Sequence, residues 1–221
     1  MPLPTTPSLP HPRDAAPVDL AFDSPAGEQP YRLPISKRAF DLILSSTLLL
    51  VLSPLLILCW AAVRATSRGP ALHWSERIGK DNHRFLMPKF RTMRIETPQL
   101  ATHLLPDPER YLTPVGGLLR RTSFDELPQL FSVCRGDLSL VGPRPALFNQ
   151  DDLVALRTRR GVHRLVPGIT GWAQINGRDE LDIARKVDFD AEYLAAQSFA
   201  TDLRILALTL WRVLCAEGVQ H

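Results

Sequence analysis

The sequence predicts an α+β fold, mainly helical, in one compact domain behind an N-terminal apolar helix that a Ser-Pro pair breaks. Three observations carry that prediction. Residues 42–63, LILSSTLLLVLSPLLILCWAAV, contain no charged side chain. Residues 71–93 alternate about a turn at 79–82, as a short β-hairpin does. The stretches 146–160, 181–197 and 201–216 are helical in character, the first with apolar positions at Leu147, Leu153 and Leu156. The boundaries that follow are a proline-rich extension over 1–34, a broken apolar helix over 35–68, and the remaining unit over 69–221.

The extension, from MPLPTTPSLPHPRD to QPYRLP, is rich in proline and lacks apolar periodicity, the composition of a disordered segment. No apolar region follows an early basic cluster, so it does not read as a signal peptide. The whole chain of 221 residues has a formal net charge of +3. That is too weak a charge for a nucleic-acid binder, and there is no basic patch with interleaved aromatics. It suits a surface near anionic headgroups. Cys59, Cys134 and Cys215 are far apart and odd in number, which points to a reducing compartment rather than a disulfide framework. The histidines show no i, i+4 pairing of the kind zinc sites use.

As a straight helix, residues 42–63 would reach about 33 Å, enough to cross a bilayer core. Pro54 stands in the middle and removes a helical hydrogen bond. Both flanks are basic: Arg32, Lys37 and Arg38 before, Arg64 and Arg68 after. The positive-inside rule therefore assigns no orientation. A helix that enters, breaks at Ser53-Pro54 and returns keeps both flanks on the cytoplasmic side, with Ser53 able to satisfy a freed backbone group and Asp41 held at the interface. An ordinary kinked span is the alternative.

The hairpin ends in KFRTM, where Lys89 and Arg91 stand two apart and so share one face of an extended strand. Residues 94–113 are polar and read as a loop. Residues 114–121 lead to SFDELPQL, which sets Asp125 beside Glu126 just after Arg120 and Arg121. Ser123 and Glu126 fit a capping box, and acidic residues suit the first turn of a helix. Pro128 strains that reading; alternatively the helix starts near Leu127 with Pro128 in first position. Either way the carboxylates lie at a helix start, and the helix ends near Arg135-Gly136. In GPRP, Arg144 stands between two prolines that fix the backbone, and a preset guanidinium fork suits phosphate oxygens. The stretch PGITGWAQINGRDE, 167–180, packs three glycines, Trp172, Asn176 and Arg178 into one loop. Glycines there either let the backbone approach a ligand or form a turn that stacks Trp172 on the core. The final stretch, TDLRILALTLWRVLCA, is apolar around most of its circumference and suits either the core or a lipid interface.

KRAFDLILSS, the Ser-Pro pair, KFRTM, SFDELPQL, GDLSLVGPRP and PGITGWAQINGRD occur in this order over about residues 37–218. Together they resemble the bacterial sugar transferases that are monotopic polyprenyl-phosphate phosphoglycosyl transferases. The length resembles that of the small members; larger relatives carry an additional multi-span region before this unit. The resemblance implies a re-entrant helix on the cytoplasmic face of the inner membrane. It implies transfer of a phosphosugar from a UDP-sugar to polyprenol phosphate, releasing UMP and starting a surface glycan for downstream glycosyltransferases. It also implies Mg²⁺. By matching motif positions, it makes Asp125 the nucleophile and metal ligand and Glu126 its partner. The matching substrate-binding residues are Lys89, Arg91, Arg120, Arg144, Asn176 and Arg178.

The chemistry is coherent on its own terms. A diphosphate repels an anionic nucleophile, so cations must neutralise it before positioning can act. A carboxylate is a competent nucleophile toward phosphorus. WSERIG, 74–79, departs from the family pattern at Ser75-Glu76 while keeping Arg77 and Gly79, which leaves the role of that region's side chains open. LDIARKVDFDAEY, 181–193, lacks the tryptophan of many members. A non-catalytic membrane-docked scaffold that holds polyprenol phosphate is the competing reading.

Overall fold

The computed structural model describes residue 31 and residues 33–97, 107–177 and 181–214. The proline-rich stretch 1–30, Arg178 and Cys215 lie outside the described residues. The fold is α+β, with helices packed around a three-stranded sheet and a separate two-stranded one.

Helix α1 (Ile35–Val51) and helix α2 (Ser53–Thr66) meet at a bend of 61°. Pro54 has no N–H to offer the carbonyl of Leu50 four residues back, and Ser53 Oγ donates to that oxygen at 2.8 Å instead. No single helix among the described residues is long and apolar enough to cross a membrane, whereas the bent pair passes that test together. One side of α1 packs into the main core through Phe40, Leu44, Leu48 and Leu49. The opposite side leaves Ile43 and Leu50 exposed, and α2 likewise exposes Ile57, Leu58 and Trp60.

The polar side chains of α1 depart from the expectation. Asp41 is not at an interface: it is 1% exposed and accepts from Leu140 N at 3.2 Å. Lys37 is equally internal, donating to Asp202 Oδ2 at 2.7 Å and to Val141 O at 3.1 Å. Arg38 donates to Val133 O and Cys134 O, closing the last carbonyls of a helix at residues 129–135. Residues that look like membrane-flanking charges in sequence are thus fastenings between α1 and the rest. At spacing four, Lys37, Asp41 and Ser45 stack on one helix face, and that face is the buried one.

The hairpin forms as expected. Strand β1 (Leu72–Ile78) pairs antiparallel with β2 (Arg84–Phe90), from Leu72↔Phe90 to Ile78↔Arg84. Asp81 and Asn82 take positive φ in the turn, a conformation these short polar residues tolerate. Strand β2 has β1 on one side and lies at the edge of its sheet, where Pro88 is tolerated.

Helix α3 (Gly116–Arg121) and helix α4 (Gln129–Arg135) flank a turn over Phe124–Glu126. The end of α4 falls where the sequence places it, with Gly136 at φ 99°. Strand β3 (Ser139–Val141) follows, then β4 (Ala146–Leu147), which pairs with β1 at Ile78 and Arg77. This shortens the helix expected over 146–160. Pro145 favours an extended residue before it, Leu147 N is taken by Gln150 Oε1, and α5 runs only over Asp151–Arg159.

The glycine-rich stretch becomes strand β5 (Gly168–Thr170), parallel to β3, and a one-turn helix α6 (Trp172–Ile175). Its glycines serve backbone packing. A Cβ on Gly168 would lie 2.1 Å from Gly142 N, and one on Gly171 would lie 2.1 Å from Gly142 O. Helices α7 (Ile183–Ala196) and α8 (Phe199–Leu214) close the fold. Asp182 caps α7 by accepting from Arg185 N. Tyr193 OH donates to Asp202 Oδ1, joining both helices to Lys37. Helix α8 buries Asp202 and Ile205 and exposes Leu203, Leu210 and Trp211, so it is amphipathic rather than apolar all round.

Candidate active site

The two adjacent carboxylates sit in a turn, not in a capping box. Ser123 adopts φ 57°, ψ 18° and makes no side-chain cap bond. Pro128 stands immediately before α4, close to the alternative expectation. The left-handed Ser123 ends the run from α3, and Glu126 N returns to Ser123 O at 3.2 Å. This tight turn aims Asp125 and Glu126 at β2.

Strand β2 meets them with Lys89, whose Nζ donates to Glu126 Oε1 at 2.6 Å. Arg144, from the proline-fixed turn, donates to the same oxygen through Nη2 at 3.2 Å. The electrostatics follow from this geometry. Burial works to raise the Glu126 pKa, but Arg144 and Lys89 outweigh it and hold the carboxyl far below its usual range. Burial in turn draws the Lys89 pKa down against the pull of Glu126. Asp125 differs. It enters no ion pair among the described residues, and burial pushes its pKa up, with Lys89 and Arg120 opposing and Glu126 adding to the rise. One carboxylate is thus ion-paired with two cations, while its neighbour, within the field of Lys89 and Arg120, is left more basic.

Arg120 lies close enough to Asp125 to feel its charge, and its Nε donates to Thr92 Oγ1 at 3.0 Å. Helix α3 approaches that segment closely: a Cβ on Gly116 would lie 2.1 Å from Thr92 O. The structure therefore brings Lys89, Arg120 and Arg144 around Asp125 and Glu126. Arg91 goes elsewhere. Its Nε donates to Pro70 O at 2.7 Å and its Nη2 to Ser67 Oγ at 2.9 Å, tying the end of α2 to the hairpin. The shared strand face of Lys89 and Arg91 does not exist, because β2 ends at Phe90. Asn176 is exposed and donates to Trp172 O. Arg178 is outside the described residues.

Arg77 is the residue that sequence reasoning left without a role. Its Nε donates to Ser75 Oγ and its Nη1 to Pro145 O at 3.3 Å. Burial, aided by Arg144 and opposed by Glu126, lowers its pKa to about 10. Arg157 grips the same turn from the other side, donating to Arg144 O at 2.8 Å while paired with buried Asp190. A signal was present: strand period two sets His73, Ser75 and Arg77 on one face, and the register places Lys89 opposite His73.

Among the described residues, no group of three or more His, Cys, Asp or Glu could hold a metal. Mg²⁺ does not need one, since it commonly takes one or two carboxylates together with substrate phosphates. Asp125, which enters no ion pair among the described residues, fits such a ligand.

Residues 32–216 of the 221 match the model of a known family, bacterial sugar transferase. The chain belongs to that family. The transferase is 44% identical over 187 residues to the sugar transferase EpsL of Bacillus subtilis, covering 85% of this chain and 91% of the relative. It is 34% identical to the exopolysaccharide production protein ExoY of Rhizobium meliloti, over 83% of this chain and 88% of that one. It is also 39% identical to the UDP-glucose:undecaprenyl-phosphate glucose-1-phosphate transferase of Escherichia coli, covering 80% of this chain but only 39% of that longer protein.

Proposed function

We propose that this transferase moves a phosphosugar from a UDP-sugar to polyprenol phosphate through a covalent intermediate on Asp125. The observation that carries this is the contrast within the pair: Glu126 is bound to Lys89 and Arg144, while Asp125 enters no ion pair among the described residues and has a raised pKa. A raised pKa means a more basic carboxylate, and a more basic carboxylate is the better nucleophile toward phosphorus.

In the first half-reaction a carboxylate oxygen of Asp125 forms a bond to the β-phosphorus of the donor. The bond from that phosphorus to the bridging oxygen breaks, and UMP leaves with the electron pair. In the second, a phosphate oxygen of polyprenol phosphate attacks the same phosphorus and returns the Asp125 carboxylate. Lys89, Arg120 and Arg144 neutralise each phosphate in turn, so one basic wall serves two anionic substrates. Glu126 holds Lys89 and Arg144 in place. Mg²⁺, held by Asp125 and the donor phosphates, would supply further neutralisation of the diphosphate.

The bent α1–α2 pair, with its outward Ile43, Leu50, Ile57 and Trp60, is the element that enters the cytoplasmic leaflet of the inner membrane and returns. The product is the lipid-linked first sugar of a surface glycan. The test is nucleotide release by purified protein over a panel of UDP-sugars with undecaprenyl phosphate. UMP supports the reading; UDP would indicate direct glycosyl transfer; no nucleotide with any donor would favour a lipid-binding scaffold.

A further inference from the structure

The two faces of the hairpin are chemically opposite, and that contrast assigns a second site. One face carries Arg77 and Lys89 toward the carboxylates. The other walls a groove of about 610 Å³ that runs between the hairpin, the bent helix pair and α4. Ile57, Trp60, Trp74, Pro88, Pro128 and Phe131 line it, and Ser53, also along it, has already given its hydroxyl hydrogen to Leu50 O. The volume is that of a small-ligand site. Nothing in it recognises a sugar, a nucleotide or a phosphate.

Its position says what it is for. Pro88 and Phe90 line the groove, and Lys89 between them faces Glu126. Because β2 is the edge strand, one strand width separates groove from cations. Pro128, at the inner end, follows Glu126 by two residues. The outer end is open: Trp60, Trp74 and Phe131 are each about half exposed, at 52%, 50% and 54%. They continue the outward apolar surface of Leu50 and Ile57 on the helix pair.

The charges at the inner end select the head. Arg77, Lys89, Arg120 and Arg144 face Asp125 and Glu126, four positive groups against two negative. Among the described residues this is a cationic surface, which suits a phosphate head.

We propose that this groove is the seat of the prenyl chain of the acceptor, holding the isoprene units nearest the phosphate so that the head turns around the β2 edge to Lys89. The groove lets the acceptor be drawn from the bilayer without crossing the donor's path. This rests on the acceptor being polyprenol phosphate, as proposed above.

The experiment reads binding apart from catalysis. Full-length protein in vesicles is irradiated with a polyprenyl phosphate carrying a diazirine on an isoprene unit near the phosphate, with no UDP-sugar present. Label is expected on Trp60, Trp74 or Phe131, competed by unlabelled polyprenyl phosphate and not by phosphatidylglycerol. Label confined to Leu210 and Trp211 on α8, or equal labelling of the groove by a diacyl phospholipid probe, would overturn the proposal. These outcomes stand even if no UDP-sugar is turned over. Kinetics add a second readout: Trp74→Ala should raise the acceptor KM about tenfold. It should leave acceptor-independent UMP release and vesicle binding unchanged. An unchanged acceptor KM would remove Trp74 from the lipid path.

Discussion

Lys89 Nζ and Glu126 Oε1 lie 2.6 Å apart across 37 residues of chain, and Asp125, the neighbour of Glu126, enters no ion pair among the described residues. This asymmetry between adjacent carboxylates makes the site testable residue by residue.

Asp125→Asn should abolish turnover and also stabilise the protein. The folded pKa of Asp125 is raised above an unfolded value of about 3.9, so its ionisation opposes folding. That penalty is complete above the folded pKa, fades as pH falls through it, and is gone below the unfolded pKa. The variant should therefore melt higher than wild type at pH 7, with the gain shrinking toward pH 4. A capping role predicts a loss of about 0.3–1 kcal/mol and retained activity. Mass spectrometry after rapid acid quench should find a phosphosugar adduct on wild-type Asp125 and none on the variant.

Glu126→Gln should behave oppositely in stability. Its folded pKa is depressed, so its contribution is present above the unfolded pKa and lost as pH falls through the folded one. Losing the bonds to Lys89 and Arg144 should cost about 2 kcal/mol at pH 7, because hydrogen bonds to charged groups are among the stronger ones. Urea midpoints for wild type and variant, compared from pH 7 down to pH 3, should converge.

Arg144→Lys should reduce catalytic efficiency about tenfold or more, roughly 1.4 kcal/mol of transition-state stabilisation. A flexible ammonium replaces a guanidinium whose place is set by Pro143 and Pro145 and whose carbonyl is gripped by Arg157. Unchanged kinetics would take Arg144 out of the site.

Arg77→Ala should raise the donor KM about tenfold, because it releases the Pro145 carbonyl and removes one cation from the wall. The readout that separates positioning from mere folding is Arg77→Lys. It should restore charge without the Pro145 contact and recover only part of the loss.

For the helix pair, cysteines at the exposed positions Ser36 and Thr66, in a background lacking the native cysteines, should both label from the cytoplasmic side. Periplasmic labelling of either would reject re-entry. Pro54→Leu restores the missing N–H for Leu50 O and should shift one end across the membrane.

Much of the fold is legible because its causes are local. Pro54 lacks an N–H in any context, so the helix break needs no tertiary partner. The hairpin is set by alternation and its turn, and the end of α4 by Gly136, whose conformation favours glycine wherever it occurs. What adjacent positions could not disclose is direction. Lys89 and Arg91 look equivalent as strand neighbours, yet β2 stops between them; Lys89 meets Glu126 while Arg91 ties α2 to Pro70. Lys37 and Asp41 look like interface charges until Asp202 and the backbone of β3 close over them. The glycines of 168–171 look like a ligand loop until Gly142 is found against their backbone. The sequence by itself determined where the chain breaks, turns and carries its paired carboxylates. The tertiary structure alone decided which charge faces which, because an ion pair depends on distances between segments far apart in the chain, and those distances exist only once the elements have packed.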